Sequence, residues 1–225
     1  MKDSKKTIYV VTQCYLSAYG LISLLKKSHA DLNIVKDIDE LIIKDNQVVK
    51  VVIILDLLNI ESLKLLKDVT DFISELKKTV RVAVLLNKYN MVLSSYIYKK
   101  LNGKAIFFNS HYISNEIFRN GIISWNSDGI FKSECINSDF KDVKYGLNIR
   151  EWTSLIVPLS GEPMHKIASH VGLSTSAFYN VRRNALKKIN LSSYRMFCDL
   201  YVRDCNILKI TFPSAARLIK YKFIN

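Results

Sequence analysis

From Thr175 to Ile189, residues placed about every 100° put Ser176, Tyr179, Asn180, Arg183 and Lys187 along one side of a helix. Phe178, Val181, Ala185 and Ile189 fall on the opposite side. The first row carries hydroxyl, phenol, amide, guanidinium and ammonium groups, which suit hydrogen bonds to base edges and ion pairs with phosphates. The second row is apolar and requires a core. In this reading Tyr179, Asn180 and Arg183 face a groove, Arg182 and Lys187 rest on phosphates, and Arg150 and Lys166 add cationic contacts upstream. Phosphate contacts displace counterions, so affinity should fall steeply with salt. A helix face that is merely solvated would show the same pattern.

The neighbouring residues supply what such a helix needs. Gly172 and Leu173 form a short turn, and Ser174 offers an oxygen to the unpaired amides of the helix start. Upstream, Pro163 to Val171 reads as a short helix with Ile167, Ala168 and Val171 at packing spacing. A third helix is expected from Asn148, where Asn148 and Glu151 stand in capping-box relation; Trp152, Leu155, Ile156 and Leu159 form its stripe. Pro158 should kink or end it, and Ser160 and Gly161 stop it.

These residues carry a resemblance. Leu147 to Asn190 resembles the LuxR/GerE-type helix-turn-helix of bacterial transcription regulators, through Leu147, Asn148, Arg150 and Glu151, then Ile167, Ala168 and Val171, then Leu173 and Ser174, and finally Asn184, Lys188 and Ile189. The match runs ungapped across both helices of the turn. Ala177, Phe178 and Val181 depart from the common residues without touching the basic face. The resemblance implies double-stranded DNA as partner, with the operator unspecified.

The first half alternates apolar runs with helical stripes. Ile8 to Val11, Val51 to Leu55, Val80 to Leu86 and Ala105 to Phe108 read as buried strands, with a weaker one at Asn33 to Val35. Leu16 to Lys27, Ile60 to Lys78 and Asn90 to Leu101 read as the helices between them, with a last helix near Ser114 to Gly121. Alternation of this kind implies an α/β, flavodoxin-like unit with a five-stranded parallel sheet. The segment resembles the receiver domain of response regulators, with Asp56 at the phosphoacceptor position. The acidic pair that would hold Mg²⁺ is replaced by Thr12 and Gln13, the hydroxyl that reads the phosphoryl group by Leu86, and the compensating lysine by Asn109. The expectation is a pseudo-receiver that is not phosphorylated and serves dimerisation.

Composition bounds the remaining possibilities. The chain of 225 residues carries a net charge of +13, and Tyr145 to Asn225 holds 12 Lys and Arg against 4 Asp and Glu. The expected organisation is a pseudo-receiver over 1–123, a linker over 124–144, and an all-α DNA-binding domain with an extension over 145–225. Cys14, Cys135, Cys198 and Cys205 make no metal-binding pair, although Cys198 and Cys205 are spaced to share a helix face. No glycine-rich phosphate loop follows the first strand, and no nucleophile and base grouping emerges, so neither an enzyme nor a cofactor is expected. No run reaches the length of a membrane span. The expected place is the cytoplasm, in association with the nucleoid.

In design the chain is similar to the atypical enterobacterial auxiliary regulators of the RcsA and BglJ type. That likeness implies a homodimer, or a heterodimer with an RcsB-like response regulator. The alternative is a protein-interaction adaptor acting through a partner regulator or polymerase without DNA specificity of its own.

Overall fold

The computed structural model describes residues 7–25, 31–41, 49–55, 60–76, 80–86, 91–110, 116–129, 133–135, 139–203 and 219–221. Thr7–Val11 (β1), Asp31–Val35 (β2), Val49–Ile54 (β3), Val80–Leu86 (β4) and Ala105–Asn109 (β5) form one sheet in the order β2-β1-β3-β4-β5. Every pairing in it is parallel. These segments are rich in Val and Ile, whose branched side chains fit a pleated surface buried on both faces.

Alternation along the strands divides the core in two. Val51 and Ile53 of β3 and Val82, Val84 and Leu86 of β4 enter one apolar cluster, while Val52, Ala83 and Leu85 enter the other. Helices Tyr15–Leu25 (α1) and Glu116–Asn126 (α4) cover the second face with Ala18, Leu21, Leu25, Phe118, Ile122 and Trp125. Ile60–Glu75 (α2) and Ser94–Lys100 (α3) cover the first with Leu63, Leu66, Val69, Ile73, Tyr96 and Ile97. A 3₁₀ turn, Met91–Leu93, leads into α3.

Helix α4 runs three residues into the stretch read as a linker, because Trp125 and Asn126 are buried there at 2% and 4% exposure. Its end is tied to the sheet through Lys50, a lysine inside β3. The Lys50 ammonium lies 2.8 Å from Asp128 and donates to the Asn126 carbonyl. The linker also contains Ser133–Cys135 (β6), which pairs antiparallel with Ile219–Tyr221 (β7), so part of the C-terminal extension returns to it. Cys205 lies outside the described residues.

The helical half comprises Ile149–Ile156 (α5), Met164–His170 (α6), Thr175–Lys188 (α7) and Tyr194–Arg203 (α8). The capping box forms as expected: Glu151 N donates to Asn148 Oδ1 and Asn148 N to Glu151 Oε2, both at 2.9 Å. Pro158 ends the α-helix early, and Val157–Ser160 continues as a 3₁₀ turn closed by Gly161 at φ +80°. Buried Asp142 takes the amides of Tyr145 and Leu147 and the Trp152 indole N–H, anchoring the start of α5. Leu147, Trp152, Leu155, Ile167, Phe178, Ala185, Leu186, Phe197 and Tyr201 fill the centre, and this cluster is continuous with the α2 and α3 face of the sheet.

Candidate nucleic-acid interface

Two short helices joined by a tight turn carry the candidate surface. Val171 ends α6 and Gly172 takes φ +71°, letting its amide reach the Ser169 carbonyl and that of Leu173 reach Ala168. Only glycine holds this left-handed conformation without strain. Nothing lies within 4 Å of a Cβ built on Gly172, so the demand for glycine is conformational and not steric. Ser174 then caps α7, its Oγ accepting from Ala177 N at 3.1 Å.

Along α7 the buried and exposed rows separate as the spacing predicts. Phe178 and Ala185 are buried, Val181 and Ile189 are half-buried, and Leu186, absent from the predicted row, widens the apolar stripe. Ser176, Tyr179, Asn180, Arg183 and Lys187 are all exposed. Arg183 Nη2 donates to Asn180 Oδ1 at 2.9 Å, a one-turn bond that holds two of the expected base-reading groups together. Lys166 is exposed on α6.

Arg182 behaves differently from its neighbour. It is half-buried, with its guanidinium carbon 4.8 Å from the Tyr179 ring and 4.4 Å from the Tyr194 ring, and Nη1 reaches Met164 Sδ at 3.5 Å. This packing joins α6, α7 and α8, so Arg182 positions Tyr179 as well as carrying charge. Tyr194 also donates through its hydroxyl to the Leu155 carbonyl at 2.9 Å. Arg150 is also exposed, and lines a cleft with Lys99 of α3 and with Lys141.

A buried polar cluster fixes α6 against the sheet half. Glu162, just ahead of α6, accepts from the Tyr96 hydroxyl and from Lys100 Nζ at 2.9 Å, while Lys100 also lies 2.8 Å from Asp71 of α2. His170, at the other end of α6, approaches Glu162 Oε1 at 3.7 Å and meets the Tyr96 ring edge-on at 5.9 Å. Burial lowers the His170 pKa against the raising influence of Glu162. Burial also raises the Tyr96 hydroxyl, with Glu162 adding to the shift, so Tyr96 remains a donor. For Asp71 burial acts upward, but the Lys100 and Lys67 ammonium groups outweigh it and hold the carboxyl below its usual range. No local pattern announces this cluster, because Glu162 is 66 and 62 residues from its partners Tyr96 and Lys100.

At the carboxyl end of the sheet, Thr12 is buried with its hydroxyl accepting from Cys14 N at 3.0 Å, and Gln13 donates to the Lys36 carbonyl at 2.9 Å. Leu86 is buried, and Asn109 is half-buried at the end of β5. Asp56 lies outside the described residues. Among the described residues no group of three His, Cys, Asp or Glu is placed to hold a metal ion, and no helix is long and apolar enough to cross a membrane.

No family model and no curated protein matches the chain. Among solved structures it is similar to full-length FixJ from B. japonicum at 14% identity and a TM-score of 0.37, covering 91% of this chain and 97% of that one. It is similar to RcsB from Salmonella enterica serovar Typhimurium bound to promoter rprA, at 12% identity and a TM-score of 0.40, covering 89% and 100%. A structure of two RcsB dimers bound to two parallel DNAs matches at 11% identity and a TM-score of 0.46, again covering 89% and 100%. Identity this low, with TM-scores below 0.5, transfers no activity or partner to this chain.

Proposed function

We propose that the chain is a transcription regulator that binds double-stranded DNA through α7, with no enzymatic activity of its own. One observation carries this reading: on the second helix of a tight helix-turn-helix, Ser176, Tyr179, Asn180, Arg183 and Lys187 form an exposed polar row while Phe178, Ala185 and Leu186 anchor the opposite side. Such a helix suits the major groove, with side chains near its start reaching base edges. In this reading Tyr179, Asn180 and Arg183 read bases, Ser176, Lys166 and Lys187 contact the backbone, and Arg182 braces Tyr179. An electrophoretic mobility series on genomic fragments, comparing the wild-type chain with Arg183→Ala, tests it. Selective shifts weakened by the substitution are expected; unchanged shifts remove Arg183 from the reading row.

The sheet half, 1–123 in this division, acts as a pseudo-receiver used for association, joined through 124–144 to a DNA reader over 145–225. Thr12, Gln13, Leu86 and Asn109 support the absence of Mg²⁺-dependent phosphoryl transfer to Asp56, since Thr12 and Gln13 bring no carboxylate for the metal, Leu86 no hydroxyl and Asn109 no ammonium group at their positions. Association finds support in α1, which contains no charged residue and exposes Tyr15, Leu16 and Tyr19 at 50%, 84% and 61%. The partner is a second copy or an RcsB-like regulator, and the working location is the nucleoid in the cytoplasm. The same apolar face favours the second reading, a protein-interaction adaptor, for which binding to protein without a DNA shift is the distinguishing result.

A further inference from the structure

Between α3 and the start of α5 lies a cleft of about 560 Å³, of whose lining the DNA-binding reading takes only Arg150. Its size falls in the range of small-molecule sites. Three cations from three separate segments line it, Lys99, Lys141 and Arg150, against the single carboxylate of Asp139. All three cations are exposed. Their ion pairs or hydrogen bonds with other side chains are not what holds them there: Lys99, Lys141 and Arg150 have no ion-pair partner among the described residues.

The rest of the lining is suited to an organic body. Phe140, Ile149 and Val171 contribute apolar surface beside the cations. Thr153 lines the same wall, and its hydroxyl is buried with no hydrogen-bond partner among the described residues, leaving a donor unused. A guanidinium and two ammonium groups lining one concavity suit the several oxygens of a phosphate, and Arg150 adds planar, paired donors. An uncharged ligand would leave that excess of positive charge unmatched.

We infer that this cleft binds a small phosphate ester, whose phosphate is held by Lys99, Lys141 and Arg150 and whose organic part rests on Phe140, Ile149 and Val171. A ligand seated there touches α3 of the sheet half and α5 of the helical half at once. The inference stands without the DNA-binding reading, because its test measures a small ligand.

Calorimetric titration of the full chain with adenosine monophosphate, with adenosine as the uncharged control, supplies that test. Binding of adenosine monophosphate with a Kd below about 1 mM is expected, with none detectable for adenosine. Arg150→Gln and Lys99→Gln should each weaken it about tenfold, consistent with loss of one charge-assisted contact. Both side chains are exposed, and circular dichroism of each variant checks the fold. Arg183→Ala, on a different surface, should bind as the wild type does. Absence of binding, a Gln variant that binds as tightly as the wild type, or a loss caused by Arg183→Ala each overturns the inference. So does a Gln variant that weakens binding of a DNA duplex while the wild type ignores adenosine monophosphate, since the cations then serve the nucleic-acid backbone.

Discussion

Replacing Lys100 by Met removes an ammonium group 2.9 Å from Glu162 and 2.8 Å from Asp71. The Glu162 side chain is 1% exposed, so water cannot take the place of the lost partner, whereas Asp71 at 28% remains partly solvated. Breaking a buried pair from one side costs about 3–5 kcal/mol, because the remaining charge is stranded. With a urea slope of about 2–3 kcal/mol per molar, the unfolding midpoint should fall by about 1–2.5 M. Adding Glu162→Gln removes the stranded charge and should restore at least about half of the loss. The chain's two tryptophans report separate halves, since Trp125 packs under the sheet and Trp152 lies in α5. Fluorescence in Trp125→Phe and Trp152→Phe backgrounds therefore reads each half. Coincident transitions are expected with Lys100 present and separated ones in Lys100→Met. A midpoint shift below about 0.3 M, or a double variant no more stable than the single one, would refute the role given to this cluster.

Three further outcomes follow from the same geometry. Gly172→Ala forces a side chain into a left-handed conformation and should cost about 1–2 kcal/mol in the helical half, measured by urea unfolding followed at Trp152. Because burial holds the folded pKa of His170 below the ordinary histidine value of about 6.5, the unfolded chain takes up a proton first on acidification. Stability from this group is complete above pH 6.5 and declines as pH falls from there toward the folded pKa. Unfolding midpoints of wild type and His170→Asn between pH 5 and 8 should show a shallower decline in the variant. Incubation with a small phosphodonor and Mg²⁺ should leave the chain unmodified by mass spectrometry; an acid-labile phosphoprotein at Asp56 would overturn the pseudo-receiver reading.

Much of this architecture was legible where the signal is local. The Val- and Ile-rich runs marked β1, β3, β4 and β5, and Asn148 with Glu151 marked the start of α5 because a capping box is written within four residues. The exposed row of α7 followed from helical spacing alone. Arg182 was harder to place, since it lies between the two rows and its packing depends on Tyr194 from the next helix. The Glu162 cluster was illegible for a stronger reason. Glu162 sits between Gly161 and Pro163, reads as loop, and acquires its meaning only when α3 is folded against it. Arg150 likewise looked like one more cation of a basic segment until the fold set it beside Lys99.

The most direct test is the salt dependence of duplex DNA binding by the wild-type chain and by Arg183→Ala/Lys187→Ala. A linear fall of log K with log salt concentration is predicted for the wild type, with a slope about 0.9 shallower in the double variant, for the one phosphate contact, at Lys187, that it removes. Binding that is insensitive to salt, or a slope unchanged by removing both cations, would contradict the assignment of α7 as the DNA-reading surface.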